Sequence, residues 1–164
     1  MIFVTVGSAF PFDRLIQSMD NWAHEAGRGD DCLAQIGRGR YKPAHMKWHE
    51  TLGHTHLSDT MQKAKLVVAH AGMGSVITAM QHVTPIVLMP RRFEAGEHTT
   101  DHQMATARWL EGKPGVFIAW DENDLAAQIK AAEGWAGSDA GLDPFASKDF
   151  TDRLNAQLTH WSEG

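Results

Sequence analysis

The residues whose types and spacing could do chemistry fall in one stretch. It opens with His70-Ala71-Gly72-Met73-Gly74-Ser75, continues past Thr78 to Pro85, and closes after a further loop with Asp101-His102-Gln103. An apolar run, residues 66–69, leads straight into His70, and a helical pattern follows Gly74. Two glycines and a helix start are thereby predicted at the carboxyl end of a strand. Free backbone N–H groups and the positive end of the helix dipole then meet at one point, which suits phosphate oxygens. His70 can add an imidazole donor to an anionic oxygen. A second strand, residues 86–89, runs into Pro90-Arg91-Arg92, and a guanidinium there matches a diphosphate or a sugar carboxylate bidentately. Asp101 and Gln103 suit hydroxyls, since a carboxylate accepts and an amide both donates and accepts. An anion cradle beside a polyol site is what a nucleotide-sugar requires.

Each of these residues also has a plainer reading. The glycines could relieve crowding at a strand–helix turn, and His70 could be a buried, hydrogen-bonded histidine. Asp101 could serve only the helix dipole, and one of Arg91 and Arg92 could simply be solvated. Glu94, Glu97 and His98 share the loop after the second strand, with open roles. Gly7 and Ser8 end the first strand on the same predicted sheet edge and could line the cleft.

The elements that must position these groups alternate. Strands are predicted over residues 2–6, 32–36, 46–52, 66–69, 86–89 and 116–119, from short β-rich runs ended by turn residues. Helices are predicted over 12–26, 75–82, 100–110 and 123–132, with a short one capped by Ser58-Asp59 and running to residue 65. Such alternation predicts a Rossmann-like doubly wound α/β fold, a parallel sheet with helices on both faces. Residues 1–133 form the expected binding domain. Residues 134–144 are rich in Gly, Ser and Asp and read as a hinge. Beyond them Phe150, Leu154, Leu158 and Trp161 recur every three or four residues, an apolar stripe on a final helix.

Composition narrows the class. The chain has 164 residues and a net charge of −5, so no basic face for a nucleic acid is expected. One cysteine, Cys32, rules out an internal disulfide and fits a reducing compartment. No run approaches the roughly 18 apolar residues of a membrane span, and the N-terminus reads as a first strand rather than a signal peptide. A cytoplasmic protein is expected. Ten histidines invite a metal reading. However, His45, His49, His54 and His56 match no structural zinc spacing, and His98 with His102 lacks a metalloprotease glutamate. No metal is expected.

The motif His70-Ala71-Gly72-x-Gly74-Ser75, then Pro85, then Asp101-x-Gln103, resembles the donor-binding signature of GT-B glycosyltransferases that use UDP-sugars. The opening Met1-Ile2-Phe3-Val4-Thr5-Val6-Gly7 and Pro11-Phe12-Asp13-Arg14-Leu15-Ile16 are similar to the small donor subunits of split transferases. Those comprise the cytosolic subunit of the dolichol-linked N-acetylglucosaminyltransferase and bacterial counterparts in exopolysaccharide synthesis, among them a glucuronosyltransferase subunit. All carry a glycosyltransferase family 28 C-terminal domain. Many relatives place Glu seven residues before the proline, on the ribose hydroxyls; here that position is Thr78.

The resemblance implies the C-terminal half of a GT-B enzyme and an inverting hexosyl transfer from a UDP-sugar to a polyprenyl-diphosphate-linked saccharide. It places the diphosphate at His70, Gly72, Met73, Gly74 and Ser75, the ribose or uridine near Thr78, and the sugar near Asp101, Gln103, Arg91 and Arg92. It also implies a membrane-anchored acceptor subunit, which would supply the general base and recruit the chain to the inner face of the membrane. Two other readings remain open: a stand-alone UDP-sugar hydrolase or epimerase, and a UDP-sugar-binding regulatory module without catalysis. A Rossmann dehydrogenase fits less well, because no G-x-G-x-x-G follows the first strand.

Overall fold

The computed structural model describes residues 1–137 and 148–162. Its six strands are β1 (Ile2–Thr5), β2 (Cys32–Gln35), β3 (Lys47–His49), β4 (Leu66–His70), β5 (Ile86–Met89) and β6 (Val116–Ile118). They form one sheet in the order β3-β2-β1-β4-β5-β6, with every neighbouring pair parallel. The helices are α1 (Asp13–Glu25), α2 (His54–Lys63), α3 (Met73–Gln81), α4 (His102–Leu110), α5 (Leu125–Glu133) and α6 (Lys148–Ser162).

Alternation along each strand divides the core between two faces. Ile2, Val4, Leu66, Val68, Val87 and Met89 share a cluster with Leu15, Ile16 and Met19 of α1 and Leu125 and Ile129 of α5. Phe3, Val67, Ala69, Ile86 and Leu88 pack instead with Met61 of α2, Val76 of α3 and Leu110 of α4. Strands β1 and β5 are buried throughout and β4 up to its last residue, His70, so both faces are covered, as expected of a parallel sheet. Each such side chain removed from water contributes roughly 1.5–3 kcal/mol.

Two boundaries differ from expectation. The third strand shrinks to Lys47–His49, an exposed edge with one neighbour. Helix α2 begins a full turn earlier than Ser58-Asp59, with Gly53 as N-cap and Leu57 N–H donating to the Gly53 carbonyl at 2.9 Å. The earlier start lets Leu57 and Met61, one turn apart, both reach the core. Ser58 and Asp59 therefore lie inside the helix. Residues 138–144 of the expected hinge lie outside the described residues.

Helix α3 ends in a left-handed residue that is not glycine. Val83 has φ of 54° while its side chain stays exposed, so little packing offsets the strain. A left-handed conformation costs an L-residue roughly 1–2 kcal/mol, and glycine avoids that cost. Val83→Gly is expected to raise stability by about 1 kcal/mol, read as a shifted urea midpoint at unchanged slope. A midpoint that stays put or falls would count against the strain.

Candidate functional site

In the strand order 3-2-1-4-5-6 the order of winding reverses between β1 and β4, and ligands of such sheets bind in the crevice beyond that point. The molecule has an open cleft of about 650 Å³ there. Its centre is the turn after β4. Gly72 is the N-cap of α3, and the N–H groups of Met73 and Gly74 have no partner among the described residues. Gly74 lines the cleft, and a Cβ built on it would meet nothing within 4 Å.

His70 is gripped by two other glycines. A Cβ on Gly7, whose φ is +71°, would lie 2.7 Å from His70 Cε1, and one on Gly72 would overlap Nε2. Only glycine at both positions leaves room for the imidazole. His70 Nδ1 is buried without a hydrogen-bond partner among the described residues. Burial and the nearby charge of Arg91 hold the imidazole down to about 4, against a weaker opposite pull from the Thr5 backbone. The ring is therefore neutral at pH 7.

Arg91 is the most unusual group in the molecule. It is only 2 % exposed, and its guanidinium sits over the Phe12 ring, 4.9 Å from the centroid. Nη2 donates to the carbonyls of Val6 at 2.8 Å and Phe10 at 2.7 Å, while Nε is buried without a partner among the described residues. Among the described residues no carboxylate hydrogen-bonds it. Burial pushes its pKa down to about 10, opposed by Glu97, so the group stays cationic at neutral pH. A buried charge is normally paired. Arg91 is a buried cation with no hydrogen-bonded anion among the described residues.

The rest of the lining adds one more guanidinium and several imidazoles. Arg38, Arg91, His54, His70, His98 and His102 border the cleft, and among the described residues no aspartate or glutamate does. In a chain of net charge −5 this is a local inversion. Such a cleft focuses potential on an anionic ligand.

A family model for the glycosyltransferase family 28 C-terminal domain matches residues 1–131. The chain belongs to that family. Its fold is similar to solved glycosyltransferases. The glycotransferase of kitacinnamycin is 16 % identical with a TM-score of 0.60, over 81 % of this chain and 34 % of that one. SnogD from Streptomyces nogalater is 22 % identical with a TM-score of 0.57, over 83 % and 35 % respectively. The solution structure of ALG13 is 16 % identical with a TM-score of 0.57, over 93 % of both chains. Thus this chain spans about a third of the first two and nearly all of the third. The fold is the Rossmann-like half that GT-B enzymes carry at their C-terminus. A search of curated protein sequences gives no significant match.

Within this family 28 domain the expected site residues divide. Gly7, Ser8, His70, Gly72, Gly74, Ser75, Thr78, Arg91 and Gln103 line the cleft together. Thr78 donates its hydroxyl proton to the Gly74 carbonyl at 2.9 Å, which leaves its oxygen as an acceptor. Gln103 is buried, and its Oε1 accepts the Arg91 main-chain N–H at 3.1 Å. Met73, Asp101 and Arg92 are not part of the lining. Met73 is exposed, Asp101 accepts the Phe93 N–H at 3.0 Å, and Arg92 donates to the Trp120 carbonyl at 2.9 Å. Asp101 is the N-cap of α4 and orders the loop ahead of it; Gln103 alone of the pair borders the cleft.

Several contributors had no assigned place in the sequence reading. Gln35 ends β2, accepts the Thr5 hydroxyl at 2.6 Å and donates to the Gly7 carbonyl at 3.1 Å, fixing the loop that carries Gly7. A polar residue closing an apolar strand was the available signal. Glu97 also finds a role. It receives Arg14 Nε at 2.7 Å and Nη2 at 2.9 Å, plus the Arg92 N–H at 2.8 Å. Arg14 additionally holds the Pro90 carbonyl at 3.0 Å, so this pair anchors the whole loop between Arg91 and Gln103.

Proposed function

We propose that this domain binds a UDP-sugar in the cleft as the donor subunit of an inverting hexosyltransferase. The observation that carries the reading is the buried Arg91 cation at the cleft beyond the β1/β4 crossover, with the glycine turn at its centre and no carboxylate among the described lining residues. A diphosphate sits against the free N–H groups of Met73 and Gly74, with His70 and Arg91 beside it. As the glycosidic bond to UDP breaks, negative charge grows on the departing phosphate, where preorganised donors are most effective. Arg91 supplies the positive charge, so no metal ion is needed. The sugar lies toward Gln103 and the ribose toward Thr78.

The acceptor is a polyprenyl-diphosphate-linked saccharide in exopolysaccharide or capsule synthesis, held by a separate membrane-anchored subunit. Among the described residues no lining residue is a carboxylate, and we assign the general base to that subunit. Among the described residues no helix is long and apolar enough to cross a membrane, so the partner recruits the domain to the inner membrane face. Helix α6 supports this arrangement. Phe150, Leu154, Leu158 and Trp161 are all exposed, with Trp161 at 69 %. Burial of such side chains is worth roughly 1.5–3 kcal/mol each.

The test pairs the full chain with the candidate membrane subunit. Transfer to the lipid acceptor is expected only when both are present. Leu154→Asp/Leu158→Asp is expected to abolish co-purification while leaving the melting temperature and UDP binding unchanged, because both side chains face water. Normal pairing by that variant would sink the role of α6. Transfer by the chain alone would end the split-enzyme reading, and hydrolysis of UDP-sugar without acceptor would favour a stand-alone hydrolase.

A further inference from the structure

We propose that His98 is a donor-binding residue whose Nε2–H hydrogen-bonds the sugar-side phosphate of the bound nucleoside diphosphate. This deepens the UDP-sugar reading above and rests on it.

His98 lies in the loop after β5, next to the anchored Glu97, and lines the cleft. Its Nδ1 faces the main-chain N–H of Thr100 at 3.3 Å and the Thr99 hydroxyl at 3.4 Å. A main-chain N–H can only donate, so Nδ1 accepts and the single proton of the neutral ring is assigned to Nε2. Burial, then the proximity of His102 and Arg91, holds the imidazole below its ordinary range and so favours that neutral form. The ring is fixed from two sides. Phe10 packs at 4.8 Å between centroids, and His102 stands nearly perpendicular at 4.3 Å, its own Nδ1 2.6 Å from Thr100 Oγ1. Nε2–H therefore has a set direction and no partner among the described residues.

Position decides what it meets. The cleft runs from Gln35 and Gly37 at the end of β2, across the glycine turn, to Arg91, His98 and Gln103 beyond β5. A diphosphate over the turn with its sugar toward Gln103 brings its sugar-side phosphate to the His98 end. Arg91 supplies charge there, and His98 supplies a directed N–H on the bond that must break.

Isothermal titration of the full chain with UDP and with UMP tests this. His98→Phe keeps a ring against Phe10 but has no N–H, while His98→Gln offers an amide N–H in place of Nε2–H. His98→Phe is expected to lower UDP affinity about tenfold with UMP affinity nearly unchanged, and His98→Gln to stay within about threefold of the parent for UDP. His98→Asn, whose amide is too short to reach, is expected to match the Phe variant and serves if that variant fails to fold. Parent-like UDP affinity in both the Phe and Asn variants, or equal losses of UDP and UMP, would overturn the assignment. So would a Gln variant as weak as the Phe variant. A folded parent chain that binds neither nucleotide would remove the diphosphate reading of the cleft, and this inference with it.

Discussion

Arg91→Met is expected to weaken UDP binding by at least about thirtyfold. Removing one partner of a desolvated charge pair costs roughly 2–5 kcal/mol, and each 1.4 kcal/mol is about tenfold in affinity. The expectation follows from the state of Arg91 in the free protein. Its guanidinium is buried, charged and hydrogen-bonded only to carbonyls among the described residues, so its desolvation is already complete before the ligand arrives. A bound diphosphate then gains a charge partner without stripping water from it. Methionine keeps the packing against Phe12 but leaves the Val6 and Phe10 carbonyls without their donor, a loss of about 1–3 kcal/mol partly offset by removing a buried charge. Arg91→Lys is expected to fall between, since it retains the charge without the planar fork. Calorimetric titration of the folded variants reads the effect. Parent-like affinity in Arg91→Met would mean that the cation serves only the loop it holds.

Gly74→Val is expected to lose UDP binding by about a hundredfold while keeping its fold. A Cβ at Gly74 meets nothing within 4 Å, so the protein has room for the side chain and the ligand does not. Valine also suits a helix better than glycine, by a few tenths of a kcal/mol. Unfolding and binding should thus separate at this position. Gly72→Ala should show the opposite balance, because its Cβ would overlap His70 and force the imidazole to move. A folded Gly74→Val chain with parent-like UDP affinity would refute the phosphate cradle.

Much of this was legible in the sequence because parallel sheets write themselves plainly. Strands such as Leu66–His70 and Ile86–Met89 are buried on both faces, so they stand out as apolar runs, and the glycines and Pro85 punctuate them. The turn at His70, Gly72 and Gly74 was readable for the same reason, since it directly follows a strand. The start of α2 was not. Ser58-Asp59 offered a strong local capping signal, and burial of Leu57 and Met61 outweighed it. Side-chain direction was equally hidden. Asp101 and Gln103 are two residues apart, yet helix geometry turns one toward Phe93 and the other toward Arg91. The pairing of Arg14 with Glu97 spans 83 positions, and nothing local in either residue announces it.

The most direct measurement is a calorimetric titration of the full chain with UDP, repeated in EDTA and at raised salt. Saturable one-to-one binding is predicted, unchanged by EDTA and weakened by salt, because the cleft supplies its own cations. A folded chain that shows no binding at millimolar UDP would contradict the assignment of this cleft as a UDP-sugar donor site.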